Sequence, residues 1–129
     1  METISQPARR RRQRAPFDAD CLEEIASELR VPLCEEPYQV RGSKVYRLQV
    51  PSAELGIEVK IVLWPSLARV DVYAGSVSIV FKDVSNVEIL PGIEVLFHRA
   101  GGGHLFVTAA GGVATVSGRT AVEGKPASA

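Results

Sequence analysis

Between residues 57 and 117 the chain alternates apolar and polar side chains in short runs broken by glycine and proline. The runs are Ile57–Trp64, Leu67–Tyr73, Ser76–Lys82, Asn86–Leu90, Ile93–His98, His104–Thr108 and Val113–Ser117. A period of two is the spacing at which a strand sends every second side chain to one face, and a helix does not produce it. Ile57, Val59, Ile61 and Leu63 fall on one side while Glu58 and Lys60 take the other. Val70 with Val72, then Val77, Ile79 and Phe81, then Ile93, Val95 and Phe97 repeat the pattern. Ala74-Gly75, Pro91-Gly92, Gly101-Gly102-Gly103 and Gly111-Gly112 supply the turns. Links this short force antiparallel neighbours, because a parallel pair needs a crossover of about a dozen residues.

Upstream, Lys44 to Val50 reads as a further strand, with Tyr46, Leu48 and Val50 alternating against Arg47 and Gln49. Residues 33–43 read as a connector that ends in the Gly42-Ser43 turn. The one helical stretch is Asp18 to Arg30, where Leu22, Ile25, Ala26 and Leu29 fall at i, i+3, i+4 and i+7 and form a single stripe. Asp18 is placed to cap its first turn, and Phe17 and Leu22 to staple it. Asp20, Glu23 and Glu24 sit toward the positive end of its dipole and Arg30 toward the negative end. Pro32 stops it. The expected fold is therefore mainly β (α+β): an antiparallel meander of about seven or eight strands forming a small roll or barrel, with the N-terminal helix packed on it.

Two resemblances follow from these elements. Residues 22–32 resemble the first helix of a helix-turn-helix, but Leu33-Cys34-Glu35-Glu36-Pro37-Tyr38 puts a proline and two acids where the recognition helix would begin. The strand number resembles a pleckstrin-homology-like roll, in architecture only. That family ends in a capping helix, whereas this chain ends in Glu123-Gly124-Lys125-Pro126-Ala127-Ser128-Ala129.

The 129 residues, 46% of them hydrophobic, suit one domain. It is expected to span residues 17–122, between a flexible arginine-rich tail (1–16) and a flexible tail (123–129). No apolar run approaches the ~18 to 20 residues that cross a bilayer. Ala15-Pro16-Phe17 passes directly into Asp18-Ala19-Asp20 with no apolar stretch of the kind an export signal needs, so cytoplasmic residence is expected. The zero net charge is segregated: +4 over residues 1–16, −6 over 17–40 and +2 over 41–129. Cys21 and Cys34, without a C-x-x-C pattern, are expected to be free thiols.

No motif for catalysis or for a cofactor stands out. The triple glycine joins two strands and precedes no helix, so it is not a phosphate loop. No serine or cysteine sits in a nucleophile elbow. The two histidines, His98 and His104, flank the triple glycine. If Phe97 faces Leu105 across the hairpin, His98 faces His104, but two imidazoles fall short of the three or four ligands of a zinc site. They are weak metal candidates.

The more informative feature is the second strand face. Val62, Trp64, Tyr73, Val80, Leu90, Leu96, Phe106 and Val116 lie opposite the inward set, where a solvated sheet would be polar. Trp64, Tyr73, Val80, Leu90, Leu96 and Phe106 are thus the candidate contacts of a non-catalytic protein-binding module, whose partner is another protein or a second copy. The acidic helix offers a further surface. The alternative is nucleic-acid binding through Arg9, Arg10, Arg11, Arg12 and Arg14, which can contact phosphates.

Overall fold

The computed structural model describes residues 13–92 and 94–116. Among the described residues ten strands form two antiparallel sheets of five. In chain order they are β1 (Gln13–Pro16), β2 (Cys34–Val40), β3 (Ser43–Ser52), β4 (Ile57–Trp64), β5 (Arg69–Ala74), β6 (Val77–Lys82), β7 (Val84–Leu90), β8 (Glu94–Arg99), β9 (His104–Val107) and β10 (Val113–Val116). An α-helix, α1 (Leu22–Leu29), lies between β1 and β2 and is preceded by a 3-10 turn at Ala19–Cys21.

One sheet is the consecutive meander β2-β3-β4-β5-β6, and the other has the order β1-β7-β8-β9-β10. The switch between them takes one residue. Asp83 adopts φ 62°, a left-handed conformation that ends β6 and redirects the chain into β7. Val84 N–H then bonds the Ala68 carbonyl at 2.9 Å, and Ala100 N–H bonds that of Asp83 at 2.9 Å. The mainly β, antiparallel reading holds, but with two five-stranded sheets in place of a single meander of seven or eight strands.

Both additional strands fall where the sequence lacks alternation. Residues 33–43, read as a connector, contain β2, which carries Pro37 and a register shift between Glu35 and Gln39. Residues 13–16, read as tail, pair with β7, Gln13 opposite Ile89 and Pro16 opposite Asn86. Residues 1–12 and 117–129, which include the rest of both expected tails, lie outside the described residues.

The helix follows its sequence signals closely. Asp18 Oδ1 accepts from Asp20 N–H at 2.9 Å and so caps the entry turn. Arg30 takes φ 62° and closes the helix through bonds to the Ala26 and Ser27 carbonyls, two residues before Pro32. Leu22, Ile25, Ala26 and Leu29 are all buried, and α1 packs on β8. Phe17 meets Phe97 edge-on, with centroids 5.9 Å apart. Each fully buried leucine or isoleucine of this stripe contributes about 1.5–3 kcal/mol relative to exposure. One core unites the stripe with Leu48, Ile61, Leu63, Val70, Val72 and Phe81 from the first sheet and Val87, Val95, Phe97, Leu105 and Val107 from the second. No described helix is long and apolar enough to cross a membrane.

Candidate functional site

With the even side of β3 and the odd side of β4 turned to the core, the other side chains of the β2–β6 sheet point outward. Strand pairing lines them up in rows: Arg47, Val62, Asp71 and Val80 in one, then Gln49, Lys60, Tyr73 and Ser78, then Trp64, Arg69 and Lys82. Asp71 is only 1% exposed, an unusual position for a carboxylate. It is held by a two-pronged bond, Arg69 Nε donating to Oδ1 at 2.8 Å and Nη2 to Oδ2 at 2.9 Å. Tyr73 Oη donates to the same Oδ2 at 3.3 Å. The guanidinium of Arg69 also lies over the Trp64 ring, 5.0 Å from its centroid.

These contacts shift the titration of Tyr73 and Arg69. Partial burial, and then the negative charge and hydrogen bond of Asp71, push the Tyr73 phenol above the usual tyrosine range. The hydrogen bond to Asp71 raises Arg69 further still, so the guanidinium stays charged. Nearby, Arg47 Nη1 donates to Glu36 Oε1 at 2.9 Å, and Glu36 is itself buried. Among the described residues, Trp64 Nε1 and Arg47 Nε are buried donors without an acceptor. Around this polar centre three apolar or aromatic side chains stay open to solvent: Tyr38 at 47%, Tyr73 at 41% and Val80 at 47%.

The outer face of the second sheet is different. Its rows run Arg14, Glu88, Leu96, Phe106 and Ala114, then Asn86, His98, His104 and Val116. Leu96 is buried, and Phe106 and Leu90 are half-buried. The expected register across the triple glycine is present: Phe97 faces Leu105 and His98 faces His104, with the imidazole centroids 5.5 Å apart. His98 Nε2 donates to Glu88 Oε1 at 2.6 Å. Among the described residues no group of three or more His, Cys, Asp or Glu side chains is placed to hold a metal.

The candidate residues therefore divide. Trp64, Tyr73 and Val80 share the β2–β6 face, whereas Leu90, Leu96 and Phe106 belong to the other sheet. The sequence reading pooled them because it carried the inside/outside alternation past Asp83, where the chain changes sheet. Of the arginines, Arg14 donates from Nε to Asn86 Oδ1 at 2.9 Å, and Arg9, Arg10, Arg11 and Arg12 lie outside the described residues.

Sequence reasoning missed Arg69, Asp71 and Tyr38. For the first two a signal was present, since Arg69, Asp71 and Tyr73 are spaced by two on the strand facing Trp64. Cys21 and Cys34 are free thiols, and burial pushes that of Cys21 up. No family model matches this chain, and no curated protein or solved structure matches it significantly.

Proposed function

We propose that the chain is a non-catalytic protein-binding module, an assembly or regulatory factor, whose contact surface is the outer face of the β2–β6 sheet. The observation that carries this reading is the grouping of Tyr38, Tyr73 and Val80, each more than two-fifths exposed, around the Trp64–Arg69–Asp71 cluster. Tryptophan, tyrosine and arginine are the residues that dominate binding energy at protein interfaces, and a rigid ion pair fixes their orientation in advance. Both arginines of this face are already matched, Arg69 to Asp71 and Arg47 to Glu36, which favours a protein surface over a phosphate backbone. Cytoplasmic residence forms part of the same proposal.

The test is capture of partners from source-cell lysate with the wild-type chain, Tyr73→Glu and Val80→Glu as baits, each with and without nuclease. A protein retained by wild type after nuclease, and lost with both variants, supports the reading. Retention by all three baits refutes this face. Material that disappears only on nuclease treatment favours the arginine segment instead.

A further inference from the structure

The four strands at the sheet edges are not equally protected. β2 carries Pro37, a register shift and the acids Glu35 and Glu36. β1 carries Arg14 and ends in Pro16, and β10 spans Val113–Val116 at the limit of the described residues. Prolines, bulges, charges and shortness are the usual means by which an edge is made unattractive to another strand. β6 has none of them over Val77–Phe81. It pairs with β5 in unbroken register for six residues, and its one charge, Lys82, is at the end.

The hairpin geometry shows which backbone groups of β6 are open. Ala74 pairs with Val77 across the two-residue turn Gly75-Ser76, and Gly75 has the positive φ (64°) that the first position of a type II′ turn requires. That closing pair is hydrogen-bonded, and the pattern repeats every second residue, so Val77, Ile79 and Phe81 bond to β5. The N–H and C=O groups of Ser78, Val80 and Lys82 point the other way. Among the described residues they have no backbone partner, and only the Lys82 carbonyl accepts a side-chain bond, from Arg99 Nε at 3.3 Å. Outward donors and acceptors alternating in this way are satisfied by one kind of object, an extended strand.

We propose that this strand is β6 of a second copy, paired antiparallel about a two-fold axis through Val80. In that register Val80 faces Val80 of the mate, Ile79 faces Phe81, and Ser78 faces Lys82. On the outer face valine meets valine, on the inner face Ile79 meets Phe81 beside the Arg99 guanidinium, which lies 4.1 Å from the Phe81 ring centroid, and each lysine meets a serine in place of another lysine. Shifting the axis to Ile79 sets Ser78 against Val80 and loses this match. The strand is therefore complementary to itself, as a two-fold interface must be. Pairing covers Val80, 47% exposed, and joins two five-stranded sheets into one continuous sheet. A single strand pair is a small contact, so the dimer is concentration-dependent. The inference shares Val80 with the proposed binding face but uses the main chain of β6, and Tyr73→Glu, a change on β5 away from the open edge, separates the two: it is expected to abolish partner capture and leave the dimer intact.

The test is sedimentation velocity of the full chain from micromolar to millimolar concentration. Wild type is expected to shift from monomer to dimer. Ser78→Pro removes an outward N–H without touching the β5 ladder, and Val80→Lys sets like charges opposite each other. Each is expected to weaken the dimer by about tenfold or more, with unchanged circular dichroism. The register is tested by cysteine cross-linking in a Cys34→Ser background. Facing residues of a hydrogen-bonded pair have Cα atoms about 5.5 Å apart, within disulfide range, so Val80→Cys is expected to cross-link and Val77→Cys is not. A monomer over the whole range overturns the proposal. So does a dimer that Val80→Lys leaves intact, or one that cross-links through Val77 in place of Val80. Should Ser78→Pro fail to fold, Val80→Lys and the cross-link decide.

Discussion

Replacing Arg69 by methionine tests whether the Arg69–Asp71 pair is a coupled unit. The thioether keeps an unbranched stem beside Trp64 but removes both charge-assisted hydrogen bonds. Asp71, 1% exposed, then retains the Tyr73 hydroxyl at 3.3 Å. Removing one partner of a buried pair costs about 3–5 kcal/mol, because the other charge is left uncompensated. The Arg69 side chain is 33% exposed, so water reaches this site and the lower end, about 3 kcal/mol, is expected.

Asp71→Val removes the other partner with a different outcome. Arg69 is left at the surface where water can solvate it, and the new valine stands in a row between Val62 and Val80. Its expected cost is about 1 kcal/mol. The double variant, with no charge left behind, should also cost about 1 kcal/mol and so be more stable than Arg69→Met alone, a coupling of about 3 kcal/mol. Urea unfolding followed by far-ultraviolet circular dichroism reads this directly. With a slope of about 1–3 kcal/mol/M, Arg69→Met moves the midpoint by roughly 1–3 M. Tryptophan fluorescence is the wrong probe, since Arg69 lies over Trp64, the only tryptophan. Additive single-variant costs, or Asp71→Val costing more than Arg69→Met, would refute the reasoning.

Three further outcomes follow from the same geometry. Gly111→Ala forces a Cβ to within 2.7 Å of Ser52 Cβ at φ 90°, whereas Gly42→Ala at φ 78° meets nothing within 4 Å. The first should cost about 2 kcal/mol or more and the second about 1, separable by thermal melts, and equal costs would contradict the close approach. Burial raises the Cys21 thiol, so less of it is thiolate at any pH near its ordinary range. Thiol titration with a disulfide reagent should therefore be biphasic, with Cys34→Ser abolishing the fast phase; a single slow phase in wild type would count against it. The Tyr73 phenol is raised by burial and by Asp71, so the folded state holds its proton more tightly than the unfolded state does. The stability this gives is present below pH ~10 and is lost as pH rises through the folded value. Tyr73→Phe should flatten the fall in melting temperature on that alkaline limb, and an unchanged limb would exclude Tyr73 as its source.

How much of this was legible depended on whether a segment's own pattern or its neighbours decide its structure. β4 has the bounds that its alternation sets, Ile57 and Trp64, and the helix stripe Leu22, Ile25, Ala26 and Leu29 is buried as its spacing requires. The His98–His104 register was readable because a hairpin fixes pairing from its tip. β1 and β2 were not readable. Gln-Arg-Ala-Pro and a proline-bearing acidic run have weak strand preference of their own, and they are extended because β7 and β3 offer free edges. The largest miscalculation arose at Asp83, since nothing in the run Phe81-Lys82-Asp83-Val84 announces a positive φ. One such residue resets which side chains share a face, and it moved Leu96 and Phe106 away from Trp64.

That division also explains why apolar content on an outer face is a poor measure of what remains to be bound. Val45, Val62 and Leu96 are buried yet lie outside the central core, so the outer faces already cover their own aliphatic side chains. On the β2–β6 sheet Val62 stands between Arg47 and Asp71, and both of those are engaged, Arg47 with Glu36 and Asp71 with Arg69. On this face the apolar and aromatic side chains still open are the rim of Tyr38, Tyr73 and Val80, beside the β6 edge, whose outward groups have no backbone partner among the described residues. A rim of this kind supplies a few aromatic anchors and one strand's hydrogen bonds, well short of an obligate interface. The contacts this domain makes should accordingly be reversible and governed by concentration, with affinity concentrated at Tyr73 and Val80. Substitutions at Leu96 should act through folding stability instead, because that side chain is already buried on the outer face of the second sheet.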